Sequence, residues 1–160
     1  MNNSPFIIFV TMLNPFDDTY FMKKALLEAE IALEKGEVPV GAVIVIENRI
    51  IAKGHNLTET LNDVTAHAEM QAITAAANFL GGKYLQNCTL YVTLEPCQMC
   101  AGALYWSQIS NIVYGARDLE RGCIHLKTKL HPKTKMKGGI METEASNLLK
   151  QFFIQKRNLN

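Results

Sequence analysis

Almost no net charge is left in this sequence: 16 Lys and Arg stand against 15 Asp and Glu, a balance of +1. A uniformly basic coat for nucleic acid is thereby excluded, and so is an acidic tail. Long apolar runs are missing too. A membrane helix needs about 20 consecutive apolar residues, and the longest stretch here, Phe6–Leu13, is short and contains Thr11. Nor does that stretch have the flanks of a secretory signal, because residues 1–5 carry no Lys or Arg and Asn14–Asp18 is no small-residue cleavage site. We therefore expect residues 1–16 to be an N-terminal extension, with no membrane association and a reducing, cytoplasmic setting. In such a compartment the few cysteines, Cys88, Cys97, Cys100 and Cys123, are expected to bind metal, act in catalysis or lie buried, not to pair as disulfides. Internal repeats, low-complexity tracts and a second domain are also absent, so residues 17–160 are expected to form one domain.

What is present is an ordinary globular composition, 48% hydrophobic and 19% charged. The charge is unevenly placed. Residues 1–116 carry six basic and eleven acidic side chains, whereas residues 117–160 carry ten basic and four acidic ones. Asp17 or Asp18 can cap a helix running to about Lys35, and Gly36 would end it. Val38–Ile46 has the β-branched apolar pattern of a buried strand and pairs with Ile50–Gly54 across Glu47-Asn48 as a hairpin. An Ala-rich helix from about Ala66 to Leu80, a strand at Thr89–Leu94, a helix at Pro96–Ser107 and a strand at Asn111–Tyr114 follow. Arg117–Gly139 is read as loop with short elements, and Met141–Arg157 as a last amphipathic helix. Strands alternating with helices after a hairpin predict a mixed α/β sheet covered by helices on both faces.

The chemistry concentrates in His67-Ala68-Glu69 and Pro96-Cys97-Gln98-Met99-Cys100. Each motif opens a predicted helix, where the electropositive terminus favours thiolate. Cys97 and Cys100 are three residues apart and so emerge on one helix face. Two thiolates and one imidazole suit Zn²⁺ and leave a fourth position for water, as catalytic zinc sites do. Zinc lowers the pKa of that water toward about 7. The expected reaction is attack of hydroxide on an sp² carbon bearing an amino group. Glu69 would take the water proton, protonate a ring nitrogen and help ammonia leave. A CxxC pair alone equally fits a structural zinc site or a redox motif, and a Cys₄ site using Cys88 and Cys123 is conceivable.

H-x-E…P-C-x-x-C resembles the signature of the zinc-dependent deaminases of nucleobases. Beyond it, Glu37–Val43 (EVPVGAV), His55-Asn56, Thr65–Met70 (TAHAEM), Thr89–Cys100 (TLYVTLEPCQMC), Ala101–Ala103 and Gly115–Asp118 (GARD) closely resemble the bacterial tRNA-specific adenosine deaminases, over roughly residues 18–157. That resemblance implies a three-layer α/β/α fold with a mixed five-stranded sheet, whose fifth strand would be short or missing because residues 122–140 are compact. It implies a homodimer with one Zn²⁺ per subunit that converts the wobble adenosine of a tRNA anticodon stem-loop to inosine. His67, Cys97 and Cys100 would be the zinc ligands and Glu69 the proton shuttle. Asn56 would contact the target nucleotide, Val38, Pro39 and Val40 would line the base pocket, and the Ala68 and Cys97 N–H groups would face the base edge or reacting centre. Asp118 would lie beside the flipped sugar. Phe152, Phe153, Lys156 and Arg157 would meet the anticodon loop, although adjacent rings cannot share a helix face, so one is expected in the core and one free to stack. Gln108 and Val64 depart from the family pattern. Two other readings share parts of the pattern: a deaminase of free guanine or cytosine, and a structural-zinc RNA-binding module.

Overall fold

Asp17 opens the first helix by accepting a hydrogen bond from the Tyr20 N–H at 2.8 Å, and α1 then runs Asp18–Glu34. The computed structural model describes residues 14–159; the apolar stretch Phe6–Leu13 lies outside the described residues. After α1 come β1 (Gly41–Ile46) and β2 (Arg49–His55), α2 (Thr58–Leu61), α3 (Ala68–Leu80) and β3 (Thr89–Leu94). α4 (Gln98–Ser107), β4 (Asn111–Ala116), β5 (Lys135–Lys137) and α5 (Glu142–Asn158) complete the chain. Glu47 and Asn48 both take positive φ, 48° and 60°, the left-handed pair that lets a two-residue turn match the twist of its strands.

The five strands lie in the order β2-β1-β3-β4-β5. β1 is antiparallel to β2 and to β3, whereas β3, β4 and β5 run parallel. The parallel step from β3 to β4 is the crossover carried by α4. The expected mixed α/β sheet with helices on both faces is therefore present, and the fifth strand is short but formed. The first strand begins at Gly41 and not at Val38, which leaves Val38–Val40 as a lead-in closed by a bond from the Val40 N–H to the Val38 carbonyl. Pro39, which offers no N–H, sits in that lead-in.

Alternation along the strands separates two cores. Ala42, Ile44, Leu90, Val92 and Ile112 pack with Ala68, Ala72 and Ala76 of α3 and Leu104 of α4. Val43, Val45, Tyr91 and Val113 pack on the other side with Phe21, Met22 and Ala25 of α1, and α5 lies beside α1. Two glycines permit the close approach. A Cβ on Gly41 would strike the Ala25 carbonyl of α1, and one on Gly54 would strike the Ala68 carbonyl of α3. Among the described residues no helix is long and apolar enough to cross a membrane.

Candidate functional site

Two helix starts meet where the strand ends of β3 and the lead-in to β1 converge. His67 is the N-cap of α3 and Cys97 the N-cap of α4, each with extended backbone, while Cys100 lies in the first turn of α4 and is fully buried. Upstream of His67, Asp63 Oδ1 accepts the Thr65 N–H and hydroxyl at 2.8 and 2.7 Å. This turn aims the imidazole at the thiols, and the same bonds hold the Asp63 carboxyl below its ordinary range.

His67 Nδ1 lies 3.6 Å from Cys97 Sγ and 3.6 Å from Cys100 Sγ, with all three ligand atoms within 4.8 Å of one another. The three groups perturb one another strongly. Hydrogen bonds from Cys100 and His67 draw Cys97 down to about 4, while its bond to Cys97, with burial, pushes Cys100 well up. The bond to Cys97 also raises His67. Two sulfurs and an imidazole nitrogen held this close together suit a dication. One nitrogen and two sulfurs in such a cluster fit Zn²⁺ with an open coordination position. Cys88 is buried in the core and Cys123 under the Pro96 carbonyl, and neither joins the cluster, which removes the Cys₄ alternative.

A cavity of ≈630 Å³ opens over these ligands, a size suited to a small-molecule or nucleotide substrate. Its wall includes His67, Cys97 and Glu69, together with Val38, Val40, Asn56 and Leu94, and on the far side Asp118, Leu119, Glu120, Arg121, Leu149 and Phe153. Glu69 is 4% exposed in the first turn of α3, and burial pushes its carboxyl up to about 7.

The structure places three of the candidate contact residues, Pro39, Ala68 and Phe152, away from the open cavity. Val38 and Val40 line the cavity but Pro39 is buried and does not; it sits at the centre of a tight turn that the Val40 N–H closes on the Val38 carbonyl at 2.8 Å. The Ala68 N–H donates to Asn56 Oδ1 at 2.9 Å, so that amide is already occupied, while Asn56 lines the cavity. Phe152 is 7% exposed and belongs to the interior, whereas Phe153 is half exposed and reaches the cavity. Asp118 lines the cavity, with Oδ1 accepting from the Glu120 and Arg121 N–H groups. Lys156 and Arg157 are exposed in the last turn of α5 and do not line the cavity. Lys137, in the basic segment after the GARD string, is paired with Asp18 of α1.

Two buried acids were not singled out from sequence, although each interrupts an apolar motif and that interruption is the signal. Glu95 stands between TLYVTL and PCQMC; Glu37 precedes VPVGAV. Glu37 is fully buried and accepts from Thr58 Oγ1 and the Glu59 N–H on one oxygen, and from the Thr60 N–H and hydroxyl on the other. Burial raises its carboxyl, but the four bonds outweigh this and hold it below the ordinary range. Glu37 thus pins α2 beside the cavity. Glu37→Gln turns an amide toward donors and is expected to cost about 3 kcal/mol in urea unfolding. Because the folded value is depressed, the carboxylate's stabilisation is complete above the unfolded pKa of about 4.3 and is lost as pH falls through the lower folded value. The variant should therefore lose part of the wild type's stability decline in acid.

Similarity to known proteins extends over most of the chain. Residues 16–116 match the family model for the cytidine and deoxycytidylate deaminase zinc-binding region. A tRNA-specific adenosine deaminase of Aquifex aeolicus is 49% identical over 145 residues, spanning 87% of this chain and 95% of that one. A structure solved in work on A-to-I editing by tRNA:A34 deaminases at the wobble position of transfer RNA superposes with a TM-score of 0.75 at 42% identity, covering 82% of this chain and 99% of that one. A Bacillus subtilis guanine deaminase matches at 44% identity with a TM-score of 0.58, covering 61% of this chain and 62% of that one.

Proposed function

The chain belongs to the cytidine and deoxycytidylate deaminase zinc-binding family and, within it, to the tRNA-specific adenosine deaminases, and from this we infer that it deaminates the wobble adenosine of a tRNA anticodon to inosine. The observation that carries the reading is one cavity shared by the HAE and PCxxC residues and by Phe153 of the aromatic-basic last helix. A free base has no use for a phosphate-facing surface; a nucleotide flipped out of an RNA loop brings neighbouring bases and phosphates, which the exposed Phe153, Lys156 and Arg157 of that helix would meet.

Zn²⁺ is the cofactor, and His67, Cys97 and Cys100 would hold it. When bound, it supplies a water of lowered pKa at the reacting carbon. The chain's own residues do the rest. Val38, Val40 and Leu94 give apolar walls to the purine, and Asn56 Nδ2 donates to an acceptor on its edge. Glu69 takes a proton from the incoming water as the new C–O bond forms at C6, and places it on the ring nitrogen N1. It then carries a second proton to the amino group as the C–N bond breaks, so that water and adenosine leave as inosine and ammonia. Asp118 faces the sugar of the flipped nucleotide, and Phe153 stacks on a neighbouring base. Lys156 and Arg157, one turn further on, approach the phosphate backbone. Residues 17–160 constitute the deaminase domain and 1–16 an extension, and the setting is cytoplasmic. The homodimer implied by the family resemblance is part of the same reading, and Trp106, 77% exposed on α4, supports it with apolar surface for a second copy.

The test is to incubate the zinc-loaded protein with an anticodon stem-loop bearing wobble adenosine and, separately, with free adenine, guanine and cytosine. Inosine in the stem-loop alone supports this function; turnover of a free base with an inert stem-loop replaces it by the free-base reading. Zinc binding without any turnover leaves the RNA-binding module. The two phenylalanines divide in the same assay. Phe153→Ala should raise KM for the stem-loop by about tenfold with little change in kcat, as stacking of a base on one ring predicts. Phe152→Ala should instead lower stability by about 3 kcal/mol through a core cavity.

A further inference from the structure

We propose that Glu95 is a positioning residue that holds the segment 117–124 as the cavity's substrate-facing wall, and thereby controls how tightly the RNA is held. The proposal rests on the deaminase reading above and adds a residue to it. Glu95 directly follows β3, and its side chain has no solvent exposure. Its two oxygens serve opposite ends of one loop. Oε2 accepts from Arg117 Nε at 3.0 Å and the Asp118 N–H at 3.1 Å, at the start. Oε1 accepts from the Ile124 N–H at 2.9 Å, at the end.

Between these anchors the chain closes on itself. The Gly122 N–H donates to the Asp118 carbonyl and the Cys123 N–H to the Pro96 carbonyl, and Gly122 forms a bridge with Cys97. Gly122 has room for no side chain, because a Cβ there would collide with Glu95 Oε1 and the Asp118 carbonyl. Leu119, 71% exposed, projects from the loop with Glu120 and Arg121, and all three line the cavity together with Arg117 and Asp118. Glu95 and Arg117 both border the cavity, but the Glu95 side chain is shut away from solvent and both its oxygens are spent on one loop. It acts through Asp118 and the three residues after it. The same segment is joined to Cys97 and Pro96, so the loop is registered against the metal-binding helix.

Glu95→Gln leaves one acceptor oxygen and turns an amide N–H₂ toward backbone donors at the other end of the loop. Gly122→Ala disturbs the same contact from the loop side and carries the test should the first variant fail to fold. Both are to be compared with wild type by zinc content, by amide hydrogen exchange over 117–124, and by steady-state deamination of the anticodon stem-loop. Exchange at Asp118 and Ile124 should quicken by about tenfold or more, as loss of a bond to a charged acceptor implies, with β3 and β4 amides and zinc content unchanged. KM should rise by about tenfold with kcat within about threefold, the pattern of lost uniform binding. Unaltered loop exchange overturns the proposal, as does a loosened loop with an unchanged KM. A fall in kcat accompanied by zinc loss also overturns it, since Glu95 would then be supporting the metal helix. A wild-type protein inert on the stem-loop would defeat the functional reading instead, and the exchange measurement would still decide whether Glu95 holds the loop.

Discussion

Glu69→Gln should lower the rate of wobble-adenosine deamination by about 10²–10⁴-fold, the range for removal of a positioned general acid–base, while zinc content per chain stays at the wild-type value. The amide matches the carboxyl in shape, so packing in the first turn of α3, where Glu69 is 4% exposed, is preserved. What it removes is a group that can accept one proton and deliver another. Glu69 lines the cavity beside His67 and Cys97, where a bound purine would present its ring nitrogen and amino group. The loss should fall on kcat, with KM for the stem-loop little changed, because Asn56, the apolar wall and the Phe153 rim are all retained. The measurement is single-turnover inosine formation alongside metal analysis of the same preparation. Activity within tenfold of wild type would place the proton carrier elsewhere.

Cys100→Ala should remove the metal itself and bring deamination to the uncatalysed background. Cys100 is fully buried and its Sγ is one of only two thiol sulfurs within reach of the imidazole. With it gone, one sulfur and one nitrogen remain, too few to complete a catalytic zinc site of three protein ligands. Purified variant should carry little zinc and regain no activity when zinc is added, whereas wild type stripped by a chelator should recover on readdition. Cys88→Ala is the control: its thiol sits in the core cluster away from the ligands, so zinc and activity should persist. Full zinc occupancy in Cys100→Ala would overturn the ligand set.

Much of the fold was legible because its signals are local. The Asp17 cap, the Glu47-Asn48 turn and the Gly81 stop, at φ 65°, are each written within a few residues. The HAE and PCxxC motifs announced their chemistry in the same way, since residue type and helical spacing suffice to recognise a soft ligand set at two helix starts. The limits of the first strand were less legible. Val38–Ile46 is apolar throughout, and periodicity does not say where pairing with β2 and β3 begins. The fifth strand was hard to see because three residues with two lysines carry no strand pattern of their own; pairing with Asn111–Val113 creates it.

By itself, then, the sequence determined which side chains could do chemistry, which segments would be helices and strands, and that one of two adjacent phenylalanines had to turn outward. Only the tertiary structure decided which partners those side chains take. It gave the Ala68 amide to Asn56, turned Pro39 away from the base wall, and chose Phe153 over Phe152 for the rim. It also brought Glu37 onto residues 58–60 and Glu95 onto residues 117–124. The physical reason is one of range: caps, turns and periodicity act over a few residues, whereas the walls of this cavity come from segments separated by 20 or more positions. Their meeting is fixed by the packing of two helical layers on one sheet, where a buried carboxylate must find its donors wherever the fold has put them.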